Sequence, residues 1–225
     1  MIPCFKPTVE EVCLPPNAVI FDMDGVLFDS DQLHHRAYAE ALAPYNLYMS
    51  IEWFRAHAPG VSRRDVLEKF SRECSVEIDI SSVVQAKGEA VASLLPVTEP
   101  NLAIGVREGL EELALEFDLA VATSSTMGPE LVGWAGLSAY FPIIVTSADV
   151  PNGKPAPDIY LEAAKRLGHV PKTCVVVEDS AVGIEGAKRA GMTVIGFAMG
   201  STSGLQTAGF QAVRFSEIIE HVRSI

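Results

Sequence analysis

Short apolar runs alternate along most of the chain with segments in which apolar residues recur every three or four positions. A short apolar run that is closed by a polar residue is typical of a strand buried on both faces of a parallel sheet. Such runs occur at 17–22, 118–123, 142–146, 173–178 and 193–197. Helical spacing occurs at 106–116, 129–135, 156–167 and 181–190. This alternation predicts an α/β fold, a doubly wound parallel sheet of the Rossmann type with helices on both faces.

The alternation is interrupted between residues 31 and 96. Helical spacing continues there at 32–43, 51–57, 62–74 and 81–95, and no strand pattern is present. We therefore predict an all-helical cap domain at 31–96, inserted into a core domain made of 17–30 and 97–225. Two linkers would join this insert to the core, and such a connection permits a hinged lid. Residues 1–16 are rich in proline and are predicted to form an N-terminal extension.

The overall charge narrows the range of partners. The chain has 29 acidic and 17 basic residues, a formal net charge of -12, which disfavours nucleic acid and anionic membrane surfaces. No apolar stretch approaches the roughly 20 residues that a membrane-spanning helix needs. We therefore predict a cytoplasmic protein, monomeric or weakly dimeric, without a membrane partner. The four cysteines have no close CxxC spacing, so reduced thiols are predicted.

Two acids directly after the first predicted strand are the strongest chemical signal. Asp22 and Asp24 lie two residues apart and are followed by Gly25. Asp and Gly also favour turns, so a purely structural role is the alternative. In the functional interpretation, Asp22 attacks phosphorus, while Asp24 gives a proton to the leaving oxygen and later takes one from water. A carboxylate approaches a phosphate dianion only where cations offset the repulsion, so this interpretation requires a metal ion and a lysine elsewhere in the chain.

Four segments resemble, in order and spacing, the four motifs of the haloacid dehalogenase superfamily. They are DMDGVLFD at 22–29, VATS at 121–124, GKPAPD at 153–158 and VEDS at 177–180. The resemblance covers nearly the whole chain apart from the N-terminal extension. It implies the Rossmann-like core predicted above, an aspartyl-phosphate intermediate on Asp22, and Mg²⁺ as the cofactor.

The resemblance also implies how the phosphoryl group would be bound. The Thr123 hydroxyl and the Ser124 backbone N–H would bind phosphoryl oxygens, and we assign Ser125 beside them to the substrate. Lys154 would pair with Asp22 and with the transferring phosphoryl group. A strand-terminal hydroxyl for Thr123 and a solvated loop charge for Lys154 are the ordinary alternatives.

The family's pattern further implies an octahedral magnesium site built from oxygen ligands. These ligands would be Asp22, the backbone carbonyl of Asp24, Glu178 and Asp179. Capping of the following helix by Asp179 or Ser180 is an alternative role, and both roles can coexist.

The second acid distinguishes between the chemistries of this superfamily. Dehalogenases and phosphonatases both lack an acid at the position that Asp24 occupies, and phosphonatases place a Schiff-base lysine in the lid. Phosphoester chemistry is therefore predicted, with a small phosphorylated metabolite as the substrate.

Three residues of the helical insert are similar to cap residues of β-phosphoglucomutase. His34, Arg63 and Lys87 match by position the histidine, arginine and lysine that couple lid closure to proton transfer and bind a distal phosphate in that enzyme. Sugar-phosphate phosphatases of the same branch also contain the lysine. We therefore assign all three residues to substrate binding, whereas a helix-surface position for His34 and a solvated charge for Lys87 are the alternatives.

The predicted activity is hydrolysis of a small phosphomonoester, such as a sugar phosphate. Hydrolysis is the commoner outcome in this branch, and the likeness to the mutase is patchy. A phosphosugar mutase is the first alternative, since a mutase differs by keeping water from the aspartyl-phosphate. A catalytically silent binding protein on the same fold is the second, because a fold does not prove an activity.

Overall fold

The computed structural model of the protein describes residues 14–58, 61–199 and 205–225. Cys4, Cys13, residues 200–204 and most of the predicted N-terminal extension lie outside these ranges. Within them, residues 14–16 precede the first strand without forming a helix or strand. An extension over 1–16 therefore stays a prediction for residues 1–13.

The described strands form one parallel sheet and one short antiparallel ribbon. They are β1 (Ala18–Phe21), β2 (Phe28–Asp29), β3 (Asn101–Leu102), β4 (Asp118–Thr123), β5 (Ile143–Thr146), β6 (Cys174–Glu178), β7 (Thr193–Phe197) and β8 (Phe210–Ala212). The sheet has six strands in the order β5-β4-β1-β6-β7-β8. All five predicted strands are confirmed to within one residue at each end. Because β1 lies between β4 and β6, the carboxyl ends of three strands meet at the centre of one sheet edge.

Four helices connect β2 to β3, as the helical spacing between residues 31 and 96 predicts. They are α1 (Asp31–Leu42), α2 (Ile51–His57), α3 (Arg63–Cys74) and α4 (Ile80–Leu94). Polar N-caps define where three of them begin: the side chain of Ser50 accepts a hydrogen bond from Trp53 N, Ser62 from Asp65 N, and Asp79 from Ser81 N and Ser82 N. Each cap satisfies backbone N–H groups that have no partner inside the helix.

Five further helices pack on the parallel sheet. They are α5 (Val106–Leu113), α6 (Gly128–Trp134), α7 (Asp158–Leu167), α8 (Ala181–Arg189) and α9 (Phe215–Ser224). Helix α7 ends at Gly168, whose φ of 81° lies in the left-handed region that glycine adopts without steric penalty. The first four agree with the predicted helices to within two residues at the start and three residues at the end. We did not predict α9.

Alternate residues of each strand point to opposite faces of the sheet, and each face has its own hydrophobic cluster. On one face, Phe21 and Val177 pack with Leu110 of α5 and Ile218 of α9. That cluster continues into the insert and includes Leu33, Ala37, Ala90, Val91 and Leu94. The opposite face packs against α7 and α8, and a third cluster lies among α1–α4 themselves. The insert therefore has a core of its own while the start of α1 and the end of α4 share the core of the sheet.

The antiparallel ribbon and the last strand were not predicted from the sequence. Strands β2 and β3 are two residues long each, with Phe28 paired to Leu102 and Asp29 to Asn101. They lie where the chain leaves the sheet for the insert and where it returns. Strand β8 pairs with β7 at the edge of the sheet. Segments of two or three residues are too short for an alternating pattern to identify.

Of the cysteines among the described residues, Cys74 is exposed, Cys174 is buried, and both are free thiols. No helix among the described residues is long and apolar enough to cross a membrane.

Candidate active site

Three acids meet at the carboxyl edge of the sheet, where β1 lies beside β6. Phe21 pairs with Val177, so the residues that follow them, Asp22 and Glu178, lie at the same level of adjacent strands. One carboxylate oxygen each from Asp22, Glu178 and Asp179 lies within 4.8 Å of the others. The predicted acids of the first and fourth segments are therefore brought together by strand register.

Lys154 lies between two of these acids. Its Nζ donates hydrogen bonds of 2.5 Å to Asp22 Oδ1 and of 2.5 Å to Glu178 Oε1. The lysine side chain is 4% exposed, so the solvated-charge alternative for Lys154 is wrong. Although burial alone lowers the pKa of Lys154, the carboxylates of Asp22 and Glu178 hold it well above its usual range. The lysine is therefore a permanent cation in contact with both acids.

Burial and repulsion between the acids raise the pKa values of Asp22 and Asp179. Burial raises the pKa of Asp22 to about 7, and Glu178 adds to this shift while Lys154 opposes it. Burial also raises the pKa of Asp179 to about 9, with further contributions from Asp22 and Glu178. Among the described residues, no hydrogen-bond donor faces the Asp179 carboxylate. Asp179 is thus the acid whose ionised form is least stabilised by the protein.

These observations fit a divalent cation bound among the acids. Magnesium prefers oxygen ligands, and a group of carboxylates with one lysine has an excess of negative charge that a cation would offset. Asp179 is packed directly against Gly25, whose φ is +80° and where any Cβ would overlap the carboxylate. Gly25 thus leaves the room for Asp179 to approach the loop that follows β1. These carboxylate oxygens fit Mg²⁺ as ligands. Asp22 and Asp179 accept fewer hydrogen bonds than Glu178 and are therefore the more available of the three.

Asp24 lies beside the three acids, and its side chain is hydrogen-bonded to a serine instead of to Lys154. Ser30 Oγ donates a hydrogen bond to Asp24 Oδ1. Burial raises the pKa of Asp24 to about 6, against the lowering effects of the Ser30 hydrogen bond and of Lys87. A carboxyl group with this pKa exchanges a proton near neutral pH, which is the property that a general acid and base requires.

The predicted phosphoryl-binding residues follow β4, the neighbour of β1 on the other side. Thr123 is 2% exposed and ends the strand. Its Oγ1 accepts a hydrogen bond of 3.0 Å from Ser125 N, and Ser125 Oγ accepts one of 3.2 Å from Met127 N. The Thr123 hydroxyl therefore keeps its hydrogen for a ligand, whereas Ser124, directly after the strand, is exposed.

Two predicted residues of the insert contact each other. Lys87 on α4 is 3% exposed and lies 3.1 Å from His34 Nδ1 on α1, measured from Nζ, so the solvated-charge alternative for Lys87 is wrong. The Lys87 ammonium group also lies 5.2 Å from the centre of the Tyr38 ring. Burial, followed by the charges of Lys87 and Arg63, holds the pKa of His34 well below its usual range. His34 is therefore neutral and can accept a hydrogen bond from Lys87.

Arg63, the third predicted residue of the insert, reaches across to the sheet. Its Nη2 donates a hydrogen bond of 3.1 Å to Thr126 Oγ1 in the turn after β4. Among the described residues neither Arg63 nor Lys87 has an acidic partner within salt-bridge distance. Positive charge without an acidic partner therefore lies near Asp24 at Lys87, and Arg63 is close enough to lower the pKa of Lys87.

We expect that Lys87→Met stabilises the protein near neutral pH. Burial, with help from Arg63, lowers the pKa of Lys87 from 10.5 to about 7, and Asp24 opposes the shift only in part. Below about pH 7 the folded state therefore bears the full penalty of a buried charge, and this penalty fades as the pH rises from about 7 toward 10.5. The variant should gain on the order of 3 kcal/mol at pH 6.5 and progressively less at higher pH.

Chemical denaturation of both proteins at several pH values measures this gain. Lys69→Met is the matched control, since Lys69 lies in the same insert but is exposed and pairs with Glu73 at 2.6 Å. A gain that does not shrink between pH 7 and 10 would contradict a depressed pKa for Lys87.

Two residues that contact the acids were not assigned to the site from the sequence. Tyr160 Oη donates a 2.8 Å hydrogen bond to Glu178 Oε1, and its ring lies against Lys154. The only sequence signal is its place two residues after the GKPAPD segment. Ser180 is the N-cap of α8, as the capping alternative predicts, and accepts a hydrogen bond from Gly183 N. It also donates to Glu178 through both its N–H and its hydroxyl.

Comparisons with known proteins agree with this geometry. A family model described as haloacid dehalogenase-like hydrolase matches residues 19–197. A fructose-1-phosphate phosphatase of Escherichia coli (strain K12) is 32% identical over 181 residues, which cover 79% of this chain and 94% of that protein. A β-phosphoglucomutase of Bacillus subtilis (strain 168) is 28% identical over 190 residues, 81% of this chain and 84% of that protein. The crystal structure of β-phosphoglucomutase from Clostridium difficile is similar in fold, with a TM-score of 0.79 at 23% identity, and covers 93% of this chain and 97% of that one.

Proposed function

This chain belongs to the haloacid dehalogenase-like hydrolase family, and we propose that it is a magnesium-dependent phosphatase that hydrolyses a small sugar phosphate through an aspartyl-phosphate on Asp22. The observation that carries the proposal is the position of Lys154, which contacts Asp22 and Glu178 beside Asp179. This arrangement supplies a nucleophilic carboxylate, a fixed cation and an oxygen-ligand set in one place.

The proposed reaction has two steps. In the first, a carboxylate oxygen of Asp22 forms a bond to phosphorus while the bond from phosphorus to the ester oxygen breaks, and Asp24 gives its proton to that oxygen. In the second, Asp24 takes a proton from water as the water oxygen attacks phosphorus, and the bond to Asp22 breaks. The products are the free alcohol, inorganic phosphate and the original carboxylate of Asp22. The raised pKa of Asp24, about 6, suits both proton transfers.

Charge compensation at the phosphoryl group comes from several groups. Lys154 and the hydroxyl of Thr123, with the Ser124 backbone N–H, would bind its oxygens. Mg²⁺, when held by Asp22, the Asp24 backbone carbonyl, Asp179 and Glu178, supplies positive charge that reduces the repulsion between the nucleophile and the phosphate. These residue assignments are part of the proposal.

The substrate class rests on the insert and on the relatives. Unpaired positive charge at Lys87 and Arg63 would attract a second polar or anionic part of the substrate. The similarity to a fructose-1-phosphate phosphatase supports a phosphorylated sugar. We propose that residues 31–96 act as a cap over a core made of 17–30 and 97–225, and that the enzyme acts in the cytoplasm.

We expect phosphate release from sugar phosphates only when Mg²⁺ is present. Purified protein would be incubated with a panel of sugar phosphates, phosphoglycolate and nucleotides, and inorganic phosphate would be measured with added Mg²⁺ and with excess chelator. Removal of the metal should lower the rate by at least about 10³-fold, because the charge of the acidic group then opposes the phosphate. Equal rates in the two conditions would contradict the proposed metal site.

A phosphosugar mutase is the second candidate function, and the similarity to a β-phosphoglucomutase supports it. A mutase would convert β-glucose 1-phosphate, primed with a glucose bisphosphate, to glucose 6-phosphate faster than it releases phosphate. We expect the reverse ranking for this protein. Following both products in one reaction distinguishes the two activities.

A further inference from the structure

Tyr160 contacts two residues of the site but takes no part in the reaction described above. The residue is on α7 and is fully buried. Its hydroxyl donates a 2.8 Å hydrogen bond to Glu178 Oε1, and its ring centre lies 5.2 Å from Lys154 Nζ. One side chain therefore contacts both the lysine and the acid that the lysine binds.

The hydrogen bonds to Glu178 show how tightly this carboxylate is fixed. Its Oε1 accepts from Lys154 Nζ and Tyr160 Oη, and its Oε2 accepts from Ser180 N and Ser180 Oγ. Each of the two carboxylate oxygens thus accepts from two donors, and the carboxylate is fixed at both ends. Tyr160 is the neutral donor on the Oε1 side, where the other donor is the Lys154 ammonium group. It thus fixes the Oε1 side of the carboxylate without adding charge.

Two glycines of helix α8 leave room for the side chains of Glu178 and Tyr160. A Cβ on Gly183 would overlap the Glu178 carboxylate, and a Cβ on Gly186 would lie 3.2 Å from Tyr160 Cε2. The two glycines are three residues apart and therefore share one face of the helix. Glycine inside a helix costs about 1 kcal/mol relative to alanine. The close approach of Glu178 to Gly183, and of the Ala156 carbonyl oxygen and Tyr160 to Gly186, gives these two positions a physical reason.

We propose that Tyr160 is a positioning residue that, by holding Glu178, keeps Lys154 on Asp22 and orders the acidic group for Mg²⁺. The inference rests on the proposed function of this site. Without the phenol, Glu178 Oε1 is held by Lys154 alone, and the pair can shift together within the pocket. Groups that orient a metal site from outside typically change metal affinity or activity by about 10–100-fold when removed.

The test is Tyr160→Phe, which keeps the ring and removes only the hydroxyl. Glu178 Oε1 retains Lys154 as a donor, so no buried atom loses its last partner and the fold should persist. Isothermal titration of Mg²⁺ into the protein without substrate should give a Kd about tenfold higher than that of the wild type. The kcat for phosphate release should fall by a similar factor while KM stays unchanged, because Tyr160 does not touch the substrate.

Tyr140→Phe is the matched control. It also removes a hydroxyl that donates to a glutamate, with Tyr140 Oη 3.0 Å from Glu111 Oε1, but on the exposed surface. Its Kd for Mg²⁺ and its kcat should equal those of the wild type. A Tyr160→Phe protein whose Kd for Mg²⁺ lies within twofold of the wild-type value overturns the positioning role. Absence of Mg²⁺ binding by the wild type overturns the proposed function instead, so the two failures are distinguishable.

Discussion

Asp22→Asn is expected to abolish phosphate release, with a loss of about 10⁴-fold or more, because an amide oxygen cannot replace a carboxylate as the attacking group. The fold should survive. Burial already raises the pKa of Asp22 to about 7, so the neutral side chain removes a charge that the folded protein holds at an energetic penalty. Initial rates of phosphate release, with circular dichroism spectra of both proteins, measure the two expectations.

Asp118→Asn provides the control for this substitution. Asp118 begins β4 at the opposite end of the same sheet, where its Oδ2 lies 2.8 Å from His169 Nε2 on the surface. This variant should keep wild-type activity. If Asp22→Asn retained activity within about tenfold of the wild type, another group would have to be the nucleophile.

Lys154→Met is expected to destabilise the folded protein as well as inactivate it. The substitution leaves the buried Asp22 and Glu178, beside the half-buried Asp179, without their cation, and breaking a buried ion pair in this way costs about 3–5 kcal/mol. Phosphate release should fall by at least about 10³-fold, since the charge that offsets the approaching phosphate is lost. Thermal unfolding and phosphate release measure the two effects.

The pH dependence of this loss follows from the same acids. Without Lys154 the buried carboxyls bind protons more tightly in the folded than in the unfolded state, so the variant should become more stable as the pH falls. Its deficit relative to the wild type should be larger at pH 8 than at pH 6, and added Mg²⁺ should reduce it. Lys165→Met is the control, because the Lys165 side chain is 77% exposed. A melting temperature equal to that of the wild type at pH 8 would refute the role of Lys154 as the compensating charge.

The strand ends could be predicted from the sequence because the signal there is local. Asp22, Thr123 and Glu178 each close an apolar run, and parallel strands place such ends at one edge of the sheet. Which strands become neighbours depends on long-range packing. The contacts of Lys154 with both Asp22 and Glu178 follow from the order of the strands and from a loop conformation that residue patterns do not specify.

Other features were predictable but were missed. In α9, Phe215, Ile218, Ile219 and Val222 follow helical spacing, and all four are buried. The burial of Lys87 also has a signal. Helical spacing places it on the same face of α4 as the buried Val83, Val91 and Leu94, where a charged side chain needs an explanation.

The role of Tyr160 could not be predicted in this way. An aromatic residue in an amphipathic helix is usually part of the core, and Tyr160 is part of it. Its hydroxyl gains a function only because the Tyr160 side chain reaches Glu178 at the end of β6. That relation between two elements is tertiary, and no spacing within α7 encodes it.

The short ribbon of β2 and β3 has a consequence for how this architecture can change over time. The pairing of Phe28 with Leu102 and of Asp29 with Asn101 brings the outgoing and returning chain side by side. A segment whose two ends are adjacent can be lengthened, shortened or exchanged as a module without altering the spacing of the strands that hold the acids. New substrate preferences can therefore arise by replacing one block of sequence, while the phosphate chemistry is inherited intact.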